Sequence, residues 1–179
     1  MTLKGVDYRD VRITDAAALA AFSAHSFVET FGGLYPNEDL KSFLDEKFGP
    51  DQQSAEILDH RCHTRLALHK KNIVGYIKMG PLTLEGDPND KNPRELHRLY
   101  VAEDVKGLGV SHILMEDGLD WAREEGADAL YLGVWENNLR AQNFYRRYGF
   151  EDFGEHGFYV GRVRDRDLIW RLDMDKKQA

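Results

Sequence analysis

The segment Lys106-Gly107-Leu108-Gly109-Val110-Ser111 follows an extended run at residues 96–101 and precedes a helical pattern that ends near residue 125. A strand, a glycine-rich turn and a helix N-terminus in that order can cradle a phosphate. The first amides of a helix lack internal partners and point outward, and the positive end of the helix dipole adds to them. Gly107 and Gly109 permit positive φ angles and a close approach of main chain to ligand. On the preceding strand Glu95 and His97 stand two apart, so both side chains leave one sheet face and can share a cleft as proton carriers. His60-Arg61-Cys62-His63 has metal-binding residue types, but no second ligand pair stands at zinc-finger spacing, and no metal is expected there.

These residues need elements to hold them. Residues 8–13 alternate as a strand, and Thr14 can cap the helix in which Leu19, Phe22, Ser26, Phe27, Thr30 and Phe31 recur at helical spacing, closed by Gly32-Gly33. Asn37 is a second candidate cap, leading Leu40, Phe43, Leu44 and Phe48 along one face, and residues 52–58 form a further short helix. Strands at 64–68 and 73–79 flank a hairpin turn, Lys70-Lys71-Asn72. Residues 81–93 are a polar loop, read as a solvated connection rather than a lid, in which 85–92 is the internal stretch open to disorder. A strand at 95–101, a helix at 110–125 closed by Gly126, and a strand at 129–134 imply a parallel pair with a crossover. Asn138 then caps a helix with Gly149 at its C′ position, and 158–160 and 168–174 close the chain as antiparallel strands. The expected fold class is α/β, a mixed sheet.

At 179 residues the chain suits one domain spanning 1–179, able to bury roughly 70% of its unfolded surface. The composition, 42% hydrophobic and 31% charged, is that of a soluble globular protein. A net charge of −7 argues against general affinity for nucleic acid or acidic membranes and favours a cationic substrate. The N-terminus lacks the apolar core of a secretory signal and no run of about 18 apolar residues occurs, so a cytoplasmic location is expected. Cys62 is the single cysteine, which excludes an intramolecular disulfide.

Residues 95–150 resemble the GNAT superfamily of acetyl-CoA-dependent N-acetyltransferases. The likeness rests on Leu99-Tyr100-Val101, on Lys106 through Ser111, and on Asn138-Leu139-Arg140-Ala141-Gln142-Asn143-Phe144-Tyr145-Arg146-Arg147-Tyr148-Gly149-Phe150. Lys106 and Ser111 depart from the family's Gln or Arg and its Gly or Ala, while the central Gly109 is kept. The Leu132-to-Asn138 strand exit, the region 30–48, the ending His156-Gly157-Phe158-Tyr159-Val160-Gly161 and Asp167-Leu168-Ile169 are similar to the PaiA-type polyamine N-acetyltransferases. The resemblance implies a mostly antiparallel sheet whose central parallel pair splays for CoA, with helices on both faces. It implies acetyl-CoA as cosubstrate, held by Leu99, Tyr100, Val101, the 106–111 loop and Asn138 and reaching Tyr145, which is the expected general acid. Glu95 or His97 would relay the proton of an amine acceptor, a polyamine such as spermidine or spermine, with Glu29, Asp39 and Glu136 as candidate partners for a distant ammonium. A peptide or other small amine is the alternative acceptor, a CoA-sensing module without catalysis the alternative class, and a homodimer is compatible with the family.

Overall fold

The computed structural model describes residues 2–175. Its strands are β1 (Val6–Asp10), β2 (His63–His69), β3 (Asn72–Pro81), β4 (Arg94–Val101), β5 (Ala129–Trp135), β6 (Glu151–Val160) and β7 (Val163–Asp173). They form one sheet in the order β1-β2-β3-β4-β5-β7-β6, antiparallel throughout except for β4 beside β5. Helices α1 (Ala16–Phe31), α2 (Asn37–Phe48) and α3 (Pro50–Leu58) fill the connection from β1 to β2. Helix α4 (Val110–Glu124) crosses from β4 to β5, and α5 (Leu139–Arg146) follows β5.

Strand alternation sorts the core into two layers. Ala67, Ile77, Met79, Leu130 and Leu132 face α4 and α5, while their neighbours Leu66 and Tyr76 face Leu19 of α1. Helix α4 turns Val110, Leu114, Met115, Gly118, Leu119 and Ala122 to the sheet. At Gly118 a β-carbon would stand 2.6 Å from the Ile77 side chain, so the missing side chain lets α4 seat directly on β3. On the opposite face Phe27 gathers the rings of Phe31, Tyr35, Phe43, Phe48 and Phe158, joining α1 and α2 to the closing hairpin.

Local signals account for most element ends. Lys70 and Lys71 both take positive φ, 50° and 68°, which makes the tight turn between β2 and β3. Asn138 caps α5, its side chain accepting the Ala141 amide at 3.2 Å. Thr14, in contrast, is not the cap of α1. Ile13–Asp15 forms a 3-10 turn in which the Asp15 carboxylate accepts the Arg12 amide at 2.7 Å and the Arg9 guanidinium at 2.8 Å, and α1 starts at Ala16. Asn37 is the first helical residue of α2 and not its cap.

The closing strands are longer than expected, with β6 from Glu151 and β7 from Val163. β6 is an edge strand, largely exposed, so its polar half carries no apolar alternation to announce it. The stretch 85–92 is pinned rather than loose. Asp90 bonds Arg171 Nε at 3.0 Å, the Asp87 amide donates to the Tyr131 hydroxyl at 2.9 Å, and Asp128 accepts the Lys91 and Asn92 amides. A segment so tied to β5 and β7 is a fixed connection.

Candidate active site

A β-bulge starts the site. β3 pairs Lys78 with Arg98 but Met79 with Leu96, leaving His97 as the extra residue of β4. The bulge explains why Leu96 and Leu99, three apart, pack into the same core layer. Pairing of β4 with β5 ends at Leu96 opposite Leu132, three pairs in all, although both strands continue. Beyond that point they diverge around a cavity of about 430 Å³, lined by residues 96–101 of β4 and 133–135 of β5. Gly133 is exposed in the middle of the sheet because it borders this gap.

The cavity is lined from both faces of the sheet. On the α4 and α5 face lie Lys106, Gly107, Ser111, Asn138, Arg140 and Tyr145. Gly107 and Gly109 have φ of 81° and 86°, the left-handed backbone expected of them, and the N-termini of α4 and α5 both border the opening. These two ends, with Lys106 and Arg140, make this side attractive to anions. Lys106 is ion-paired to Glu103, which also faces Arg140 at 3.8 Å. On the α1 and α2 face lie Glu29, Tyr35, Asp165 and Asp167, beside Phe27 and Phe158. Three carboxylates favour a cationic guest there. Arg98 lines the cavity too, but Glu56 holds its guanidinium through bonds of 2.7 and 3.1 Å.

The residues singled out in the sequence fall into three groups. Leu99, Tyr100, Val101, Lys106, Gly107, Ser111, Asn138, Tyr145 and His97 line the cavity. Leu108, Gly109 and Val110 do not: Val110 is in the core, Leu108 packs against it while its carbonyl accepts the Leu3 amide at 3.0 Å, and Gly109 is the cap of α4. Glu95 is also outside the lining. Its Oε2 accepts the Thr83 amide, the Thr83 hydroxyl and the Leu84 amide at 2.6, 2.9 and 3.1 Å. Glu95 and His97 do share a face, with Oε1 3.8 Å from Nδ1, but His97 Nε2 is bonded to the Pro81 carbonyl at 3.0 Å. Burial holds the imidazole below its usual pKa against the pull of Glu95.

Of the candidate ammonium partners, Glu29 lines the cavity. Asp39 faces Arg162 at 3.4 Å and Glu136 bonds Arg166 at 3.0 Å. Arg146 lies over Trp170 and Arg147 over Phe144, both outside the lining. His63, from the cluster near Cys62, bonds Asp117 at 2.8 Å and stacks on Trp121. Tyr145 is 8% exposed, in edge contact with Phe144 and Phe150, and burial pushes its phenol pKa up, so the hydroxyl keeps its proton.

Asp165 and Asp167 carry no site role in the sequence, although Asp167 stands in the Asp167-Leu168-Ile169 segment similar to the PaiA-type enzymes. They are two apart on β7, alternating with Arg164 and Arg166, so the same spacing rule that paired Glu95 with His97 identifies them once the strand is known to extend that far. Asp165 accepts the Tyr35 hydroxyl. Asp167 has its pKa raised to about 6, mainly by burial, with His156 opposing the rise and Asp165 adding to it.

Residues 24–150 match the acetyltransferase (GNAT) family, and the chain belongs to that family. It is an acetyl-CoA-dependent N-acetyltransferase. An uncharacterized N-acetyltransferase of Lactobacillus delbrueckii subsp. lactis is 29% identical over 93% of this chain and 96% of its own length. A spermine/spermidine N(1)-acetyltransferase of Bacillus subtilis is 29% identical over 56% of this chain and 66% of its own. Among solved structures, the PaiA N-acetyltransferase from Thermoplasma acidophilum, determined in complex with coenzyme A, superimposes with a TM-score of 0.76 at 20% identity, covering 94% of this chain and 98% of that one.

Proposed function

We propose that this chain transfers the acetyl group of acetyl-CoA to a primary amine of a polyamine such as spermidine or spermine, by direct attack and without an acyl-enzyme. The observation that carries this reading is the polarity of the cavity, basic with two helix N-termini on one face of the sheet and lined by Glu29, Asp165 and Asp167 on the other. The similarity to the Bacillus subtilis polyamine enzyme supports the choice of acceptor.

The anionic phosphates of acetyl-CoA fit the first side. Gly107 and Gly109 give the loop its left-handed turns, no atom lies within 4 Å of a β-carbon placed on Gly107, and Lys106 adds a positive charge. β4 residues 97–101 have no partner in β5, so their free edge can pair with an extended amide chain as a missing strand would. When bound, acetyl-CoA supplies an activated acetyl group and a thiol leaving group. An amide on the free edge of β4 can donate to the acetyl oxygen as negative charge develops there. Tyr145, protonated and at the α5 side of the cavity, can hand its proton to the departing sulfur; proximity assists this transfer, since an ordinary thiol pKa near 8.5 lies below that of a phenol.

On the second side the three carboxylates can hold a polycation, and the aromatic wall of Phe27 and Phe158 can contact its methylene chain. The test is steady-state acetylation with a panel of polyamines, amino acids, peptides and aminoglycosides. Turnover concentrated on polyamines is expected. Turnover confined to another class would replace the acceptor, and acetyl-CoA binding with no turnover on any amine would leave a CoA-sensing module.

A further inference from the structure

Proton removal from the acceptor needs a base, and the two β4 candidates, Glu95 and His97, are both engaged by other groups. The acceptor arrives as an ammonium with no lone pair, so a base must act before attack. Glu95 is outside the cavity with one oxygen held by three donors, and His97 lines it with Nε2 bonded to the Pro81 carbonyl and its basicity lowered by burial. Of the cavity's remaining carboxylates, Glu29 is paired with His25 at 3.3 Å and Asp165 accepts the Tyr35 hydroxyl.

Asp167 differs from all of these. Its side chain is 15% exposed, it lines the cavity, and its ion-pair contact among the described residues is His156, whose Nε2 stands 3.9 Å from Oδ2, too far for a hydrogen bond. That Nε2 is itself buried with no hydrogen-bond partner. Gly133 keeps the space in front of both groups open. A β-carbon there would lie 3.2 Å from His156 Nε2 and 3.7 Å from Asp167 Oδ2.

We propose that Asp167 is the base that deprotonates the acceptor ammonium, working from β7 on the face of the sheet opposite Tyr145; the proposal rests on the amine acetyltransferase reading above. An N–H bond of the ammonium breaks, its electron pair stays on nitrogen, and the proton forms an O–H bond with the Asp167 carboxylate. Asp167 later releases that proton to solvent, which is the one proton set free when an ammonium and a thioester become an amide and a thiol. The second proton lost by nitrogen leaves through water and balances the one that Tyr145 gives to sulfur. The groups that face Asp167 are His156 from β6, Asp165 from its own strand, Tyr35 from the turn before α2 and Tyr100 from β4, with Glu29 of α1 in the same half of the cavity. Burial raises Asp167 to about 6, which leaves the carboxylate ionised at neutral pH and far more basic than an exposed aspartate.

The experiment is the pH dependence of kcat/KM for wild type, Asp167→Asn and Asp167→Glu with whichever amine turns over best. Wild-type activity should rise with pH through a limb near 6. Asp167→Asn should lose that limb and about 10²–10⁴-fold in kcat/KM at neutral pH, with the KM for acetyl-CoA unchanged and the deficit shrinking as pH approaches the amine's own pKa. Asp167→Glu should keep a limb at reduced rate. An Asp167→Asn enzyme that binds acetyl-CoA normally, retains the limb and stays within threefold of wild type would overturn the proposal. Wild type active on a non-polyamine amine removes only the polyamine reading, since Asp167 is then tested on that amine; wild type inert on every amine overturns both.

Discussion

Tyr145 and Asp167 stand on opposite sides of the sheet with opposite protonation states, a phenol kept neutral by burial and a carboxylate raised to about 6. Each makes a separate prediction. Tyr145 is packed by Phe144 and Phe150, so Tyr145→Phe removes one oxygen from a site that tolerates a phenyl ring. Its kcat should fall about 10²-fold or more while the Kd for CoA, measured by calorimetry, is nearly unchanged. For Asp167 the linkage runs against the usual carboxylate. Its folded pKa lies above the unfolded value, so its contribution to stability is full below about 4 and is lost as pH rises through 6. Asp167→Asn should therefore raise the stability at pH 7 by about 1 kcal/mol after allowance for solvent screening, and have little effect at pH 4, in denaturant titrations at the two pH values. A destabilised variant at pH 7 would show that the carboxylate is structurally needed. Of these two residues the chain itself disclosed only the first, through the 138–150 block. Asp167 stood in the PaiA-like ending without a role, because the polar half of β7 has no apolar face to mark it as strand.

At the scale of elements, the cradle and the splay come from different kinds of information. The glycine turn and the Asn138 cap are local, set by φ angles and one side-chain bond, and both were legible from residue types and spacing. The bulge at His97 and the end of pairing at Leu96 are relations between strands, which no single segment encodes. The lengths of β6 and β7 were likewise set by partners rather than by their own alternation, and Thr14 lost the cap of α1 because Asp15 is anchored by Arg9 and Arg12. Gly107 tests the local part. Nothing lies within 4 Å of its would-be β-carbon, so Gly107→Ala carries only the left-handed backbone penalty of about 1 kcal/mol. If the loop must hold φ near 81° to bind, the Kd for acetyl-CoA should weaken about fivefold with the KM for amine unchanged. Equal binding by the variant would place the phosphates elsewhere.

For the molecule as a whole, the sheet acts as a partition with a slot. Its antiparallel wings hold α4 and α5 on one side and α1 and α2 on the other, and the divergence of β4 from β5 is where the two sides meet. Separating the partners by face lets an anionic donor and a cationic acceptor approach one point from environments of opposite sign. The net charge of −7 adds long-range attraction for a polycation, so the KM for a polyamine should rise with ionic strength while that for a neutral-tailed monoamine changes little. Acetyl transfer to a polyamine is read out by thiol release from acetyl-CoA with spermidine, with the acetylated product identified by mass. Saturable release and a singly acetylated spermidine are expected, at a kcat/KM well above that for amino acids or peptides; release independent of spermidine, or a preference for an acidic or neutral amine, would rule out a polyamine acceptor.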